Sequence, residues 1–254
     1  MLDIDRRFSG LERLYGRSRS QGIRQAHVVV VGIGGVGSWA VEALARSGVG
    51  RLTLMDMDHV SESNINRQIQ ALSSTLGMAK IIAMQARISE INPVCVVTPI
   101  DDFVTPENWS RLLPPGVDAV IDCCDQLKAK VVMADWARQC KSIFACVGAA
   151  GGKRQAFRVD VADLSETTND PLLAKMRYDL RRFHGAPKAG KKMGVSCIFS
   201  SEPVQVSLES CATQQDNTLN CHGYGSLVSV TATFGMCAAG WVMDKISEIK
   251  AGGE

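Results

Sequence analysis

Residues 27–58, HVVVVGIGGVGSWAVEALARSGVGRLTLMDMD, decide the fold. An apolar strand runs into Gly32, Gly34 and Gly37, spaced as G-x-G-x-x-G, and is followed by a helix, a turn and a second apolar strand ending in Asp56. That order describes a βαβ unit that binds phosphate. Glycines let the backbone approach the anion, and the helix start offers free N–H groups and the positive end of its dipole. Asp56 falls where a carboxylate accepts from ribose hydroxyls. Up to this point an NAD-dependent oxidoreductase is described equally well.

Outward from this unit, apolar runs alternate with helical patterns. Strands are expected over 27–32, 51–56, 94–100, 119–124 and 142–149, with helices over 37–47, 76–91 and 127–140 and another starting near Pro106. Such alternation indicates parallel strands joined by crossover helices. After Gly151 and Gly152, the stretches 154–160, 197–203 and 204–208 read as antiparallel additions, and residues 6–22 read as an N-terminal helical arm. The fold class is therefore α/β, a doubly wound Rossmann-like sheet, mostly parallel, with antiparallel C-terminal additions. At 254 residues and 46% hydrophobic content the chain can bury one substantial core. A single domain over 1–254 is expected, with a nucleotide-binding core over 1–160 and a substrate- and subunit-contact region over 161–254. The uncharged run from Gly225 to Met243 contains glycines, serine and threonines, which favours a buried helix over a membrane span.

Composition narrows the setting. No charged leader precedes an apolar signal segment, and the nine cysteines form no C-x-x-C pair, which points to a reducing, cytoplasmic environment without structural zinc. A net charge of +2 is not the footprint of a globally basic nucleic-acid binder. Residues 175–192, KMRYDLRRFHGAPKAGKK, carry seven Lys or Arg against Asp179 alone. That segment reads either as a grip on RNA phosphates or as a solvated surface loop.

Three further pieces separate the nucleotide classes: Ser63-Asn64-Ile65-Asn66-Arg67-Gln68, then Lys80, then Asp122-Cys123-Cys124-Asp125 after a third apolar strand. A diphosphate of about two charges is held largely by backbone amides, whereas a triphosphate of about four calls for cations and usually a metal. Arg67, Lys80 and a metal-binding Asp125 supply that set. Asp122 reads as a capping or orienting group, and His27 and His59 as structural residues.

GIGGVG, Asp56, SNxxRQ, Lys80 and DxxD, in this order over roughly residues 6–155, resemble the signature of the ubiquitin-activating-like adenylyltransferases, which include the molybdopterin-synthase and thiamine sulfur-carrier adenylating enzymes. The resemblance implies ATP and Mg2+ as cofactors, with the backbone at Gly32, Gly34, Gly35 and Gly37 on the phosphates and Asp56 on the ribose. It places Asn64, Arg67, Gln68 and Lys80 at the triphosphate and Asp125 at the magnesium, with Arg67, Lys80 and Asp125 as the catalytic set. An arginine from the arm, Arg7 or Arg13, would reach the ATP site of a neighbouring subunit.

The rest of the chain resembles one branch, the tRNA threonylcarbamoyladenosine dehydratases, through RRFSGLERLYG, IDDFVTPEN, DPLLAKMR, KMGVSCIFSSE and CHGYGSLVSVTATFGMCAAGWV. This likeness implies activation of the threonyl carboxylate of a modified adenosine in tRNA by ATP, then closure to a cyclic hydantoin with release of pyrophosphate and AMP. Partners implied are tRNA bearing threonylcarbamoyladenosine, a second copy of the chain and sulfur-relay proteins, but not DNA. Adenylation of a sulfur-carrier C-terminal glycine, a nicotinamide-dependent reaction and a non-catalytic nucleotide sensor are the rivals. Cys197 and Cys221, the latter beside His222, are the candidate nucleophiles of a thiol route. For Cys221 a structural role is favoured, because cyclisation requires only a nucleophile within the substrate.

Overall fold

In the computed structural model, which describes residues 3–205 and 224–251, the alternating pattern becomes one seven-stranded sheet. Strands β1 (His27–Val31), β2 (Arg51–Met55), β3 (Val96–Ile100), β4 (Ala119–Asp122), β5 (Ile143–Val147), β6 (Val159–Asp163) and β7 (Ser196–Ser200) lie in the order β3-β2-β1-β4-β5-β7-β6. The helices are α1 (Ile4–Tyr15), α2 (Arg17–Gln25), α3 (Gly37–Arg46), α4 (Lys80–Ile91), α5 (Trp109–Leu112), α6 (Leu127–Cys140), α7 (Pro171–Phe183) and α8 (Val228–Ala251). Alternation along β1 divides the core: Val28 and Val30 join one apolar cluster with α3, α4 and α8, while Val29 and Val31 join another with α6 and α7.

Among the described residues only β6 runs antiparallel. It pairs with β7, whereas β7 runs parallel to β5 with Cys146 beside Cys197. Residues beyond 160 thus contribute a strand to the same sheet. The strand expected over 154–160 starts at Val159 instead. Glu202 Oε2 accepts the amides of Arg154 and Gln155 at 2.9 and 2.8 Å, and the chain then makes a 3-10 turn over Ala156–Arg158. Of the stretch 204–208, residues 206–208 lie outside the described residues. The arm is two helices, broken at Gly16, and Tyr15 Oη donates to Asp244 of α8 at 2.5 Å.

The uncharged C-terminal run forms most of α8, which buries Val230, Phe234, Ala238, Val242 and Ile246 at helical spacing. At Gly235 the helix backbone lies against the start of α3: a Cβ there would stand 2.4 Å from the Val36 carbonyl. Among the described residues no helix is long and apolar enough to cross a membrane.

Strand order reverses between β1 and β4, so the binding crevice of a doubly wound sheet opens at the carboxyl ends of those two strands. The opposite rim holds the second half of the basic segment, residues 184–192. Asp170 caps α7 at Leu173 and also accepts the Ala149 amide, just past β5, so α7 starts at the carboxyl rim. Thirteen residues, a rise of about 20 Å, take it to the amino rim. There His184 Nδ1 meets Asp135 at 2.9 Å, and Arg138 donates to the carbonyls of Met193 and His184.

Candidate nucleotide and adenylation site

The glycine spacing is a packing requirement. At Gly32, with φ of 84°, a Cβ would lie 2.9 Å from the Cys124 nitrogen, and at Gly37 it would lie 1.8 Å from the Gly32 carbonyl oxygen. Only glycine lets β1 turn this tightly into α3. Among the described residues the amides of Gly34 and Gly35 find no protein acceptor, which leaves them for an anion at the helix start. Asp56 holds the loop in place: Oδ2 accepts the Ile33 amide at 2.6 Å and Oδ1 the Asp58 amide at 2.8 Å. Burial raises the Asp56 carboxyl above the ordinary range, with Lys80 opposing the shift. Each carboxylate oxygen keeps acceptor capacity for a ribose hydroxyl.

Lys80 is the first residue of α4, with 8% of its side chain exposed and Nζ 2.6 Å from Asp58 Oδ2. Asp58, the second acid of MDMD, escaped the sequence reading although it stands two residues from Asp56. Arg67 Nη1 donates to the Ser63 carbonyl at 2.6 Å and to Asn66 Oδ1 at 2.9 Å. Its Cδ lies 3.3 Å from where a Cβ on Gly35 would be, so the guanidinium stem covers the glycine loop. Burial pushes the Arg67 guanidinium below its usual value. A guanidinium stays cationic at neutral pH even so.

Asn64 and Gln68 are buried and partly occupied by local bonds. Asn64 Oδ1 caps its own turn by accepting the Ser61 amide at 3.1 Å, and Gln68 Oε1 accepts from Gln70 Nε2 at 3.1 Å. Gln70 also donates to the Ile33 carbonyl at 2.8 Å, tying residues 61–70 to the glycine loop. No motif flags Gln70; only the fold reveals its role.

On the other side of the crevice, the four residues of DCCD divide their work. Asp122 is buried and ion-paired with the equally buried Lys130 at 3.0 Å; its Oδ1 also accepts the Cys124 amide at 3.2 Å. Lys130 Nζ donates further to the Val147 carbonyl at 2.7 Å, joining the ends of β4 and β5. Burial alone would lower the Lys130 ammonium, but the Asp122 carboxylate overrides it and holds the group well above the ordinary lysine value. Asp122 is therefore committed to bonds within the fold. Asp125 is half-buried and, among the described residues, makes no hydrogen bond or ion pair. The described residues contain no group of three or more His, Cys, Asp or Glu able to hold a metal. A single uncommitted carboxylate suits Mg2+, which takes one or two carboxylates together with phosphate oxygens and water.

Burial raises the Cys123 and Cys124 thiols above the ordinary range, and a hydrogen bond with Cys197 together with burial raises Cys146, so all three remain protonated. Cys197 is wholly buried in β7, and Cys221 lies outside the described residues. His27 Nε2 meets Thr53 Oγ1 at 2.9 Å between β1 and β2, and His59 forms an isolated bridge with Ala79. Of the arm arginines, Arg7 caps the end of α4 by donating to the carbonyls of Glu90 and Ile91. Arg13 donates to Ser9 within α1.

A tight glycine turn at the strand-order switch, with Asp56, Arg67, Lys80 and Asp125 around it, marks a Rossmann-like nucleotide-binding fold. The chain belongs to the ThiF family, whose model matches residues 7–253. It is 44% identical to a tRNA threonylcarbamoyladenosine dehydratase of Haemophilus influenzae over 98% of this chain and 96% of that one. The crystal structure of Escherichia coli tRNA N6-threonylcarbamoyladenosine dehydratase, TcdA, in complex with ATP superposes with a TM-score of 0.89 at 41% identity, covering 98% and 97% of the two chains. The same enzyme in complex with AMP gives a TM-score of 0.87 at 42% identity over 97% and 96%.

Proposed function

We propose that the protein is an ATP-dependent tRNA threonylcarbamoyladenosine dehydratase. The observation that carries this reading is that the likeness to such enzymes extends over nearly the whole chain, well past the nucleotide-binding half. The substrate carboxylate attacks the α-phosphorus of ATP and pyrophosphate leaves. The carbamoyl nitrogen of the same substrate then attacks the acyl carbon, losing its proton as AMP departs, and the hydantoin ring closes. No thiol is needed, because a tethered nucleophile reaches effective molarities of about 10⁵ M or more.

The protein's share is binding and charge. Gly34 and Gly35 offer amides to the phosphates and Asp56 holds the ribose. Arg67 and Lys80 supply positive charge where it develops on pyrophosphate, with Asn64 and Gln68 lining the same wall. Lys80 leaves Asp58 for the triphosphate, an exchange of one anion for another. Asp125 would hold Mg2+, whose chemistry there is to neutralise charge on the leaving pyrophosphate. Asp125→Ala is expected to lower AMP formation at least about a hundredfold, in line with the loss of a preorganised electrostatic group. Retained activity would remove Asp125 from the metal site.

The working form is a homodimer in a cytoplasmic setting, with sulfur-relay proteins as further partners. Of the basic segment 175–192, residues 184–192 stand at the rim away from the crevice, and this part meets tRNA phosphates at a distance from the reacting adenosine. The deciding experiment is AMP and pyrophosphate release with tRNA bearing threonylcarbamoyladenosine, run beside unmodified tRNA. Release with the modified tRNA only, and loss of one water from the nucleoside mass, supports the reading. Release with neither overturns it and brings sulfur-carrier adenylation forward.

A further inference from the structure

The buried ions of the third region of the sheet, around Lys153 and Glu202, take no part in the chemistry above. Lys153 is 2% exposed, and its Nζ donates to the carbonyls of Asn169 at 3.2 Å, Ser200 at 3.3 Å and Glu202 at 2.7 Å. Burial lowers the Lys153 ammonium, with Asp170 and Glu202 opposing. Glu202 is 1% exposed, and while Oε2 holds the amides of Arg154 and Gln155, Oε1 accepts from Gln205 at 2.9 Å. Buried ions are costly unless fully bonded, so this network rigidifies whatever it carries.

What it carries is the 3-10 turn Ala156–Arg158, at whose centre Phe157 is 84% exposed, the most exposed large apolar side chain among the described residues. Arg154 and Arg158 beside it are exposed as well; the Arg154 charge acts on the nearby Glu202 carboxylate, and among the described residues neither guanidinium makes a hydrogen bond or ion pair. The turn lies on the crevice side of the molecule: Val159, which follows it, pairs with Ser200 at the carboxyl end of β7. From β4 to β6 there are three strand steps, about 15 Å at the usual spacing of about 4.8 Å. That is the span of a few nucleotides from the reacting carboxylate.

We propose that Phe157, flanked by Arg154 and Arg158, is a stacking platform for an unpaired base of the RNA, a few nucleotides from the modified adenosine. An aromatic face between cations is how proteins take up splayed bases of single-stranded loops, and a rigid mount limits the entropy lost on binding. This inference rests on the tRNA reading above. A protein partner would instead be expected to bring carboxylates to the two arginines.

The test is fluorescence anisotropy of a labelled anticodon stem-loop RNA titrated with the full chain and with Phe157→Ala, Phe157→Trp and Arg158→Ala. ATP affinity, gel-filtration profile and tRNA-dependent AMP release are recorded on the same preparations. Phe157→Ala is expected to weaken RNA binding about tenfold and to raise the KM for tRNA with little change in kcat. Phe157→Trp restores binding, Arg158→Ala gives a smaller loss that salt erases, and ATP affinity stays constant. Equal RNA affinity in Phe157→Ala overturns the platform, as does a loss that tracks a shift to a smaller species on gel filtration. If the unsubstituted chain still releases AMP with modified tRNA in that case, only the platform has failed; if it releases none, the dehydratase reading has failed on its own account.

Discussion

The carboxyl and amino rims of the sheet both carry positive charge, but in different states. At the carboxyl rim, Lys80 is 8% exposed and fixed on Asp58, and Arg67 is half-buried and bonded to Ser63 and Asn66. At the amino rim, Lys188, Lys191 and Lys192 stand exposed in solvent, and among the described residues their ammonium groups have no partner. Charges held in place within a low-dielectric crevice act on a transition state at full strength, whereas mobile surface charges are screened by salt beyond about 10 Å. The first arrangement suits chemistry, the second a diffuse attraction for a polyanion.

Substitutions can break this contrast at either rim. The largest effect is expected for Gly37→Ala, because the new Cβ would fall 1.8 Å from the Gly32 carbonyl and force the glycine loop open. ATP binding measured by calorimetry should fall at least about a hundredfold. Near-normal affinity would show that the loop is not the phosphate cradle. Next comes Lys130→Met, which leaves Asp122 charged and unpaired in the core. Removing one partner of a buried pair costs about 3–5 kcal/mol, readable in urea unfolding. An unchanged midpoint would mean that the pair is not what joins β4 to β5.

A smaller effect belongs to the amino rim. Reversal of Lys188, Lys191 and Lys192 to glutamate should raise the KM for tRNA a few-fold, steeply dependent on salt, without altering ATP affinity. A fall in kcat would contradict the separation of the two rims. The smallest effect concerns the arm. The Tyr15 hydroxyl is pushed up to about 12 by burial and its bond to Asp244, so its folded value lies above the unfolded one near 10. Its stabilisation is fully present below about pH 10 and is lost as pH rises towards about 12. Tyr15→Phe should abolish that alkaline dependence of arm protection in hydrogen exchange. A dependence that survives the substitution would place its cause elsewhere.

The nucleotide half was legible because its residues act over short sequence distances. The glycine turn and Asp56 at the strand end are fixed by local geometry, and the expected positions of β1, β2, β4 and β5 match within a residue or two, whereas the helix expected over 76–91 starts only at Lys80. The later region was less legible. The strand expected over 154–160 gives way to a turn because Glu202, more than forty residues on, captures two amides that a strand would have used. Nothing in the sequence marks Lys130 and Lys153 as buried, since no local pattern signals a partner such as Asp122 or three converging carbonyls.

Sequence alone determined the sheet class and the glycine turn, because these follow from apolar periodicity and from steric limits on glycine. Tertiary structure alone decided which charges are held: Asp58 against Lys80 and Lys130 against Asp122 under the crevice, while Asp125 has no partner among the described residues. It also decided that residues 184–192 of the basic segment lie a helix length away from the crevice rim. Those outcomes depend on which distant strands become neighbours, a property of the folded chain's topology that no local pattern of residues contains.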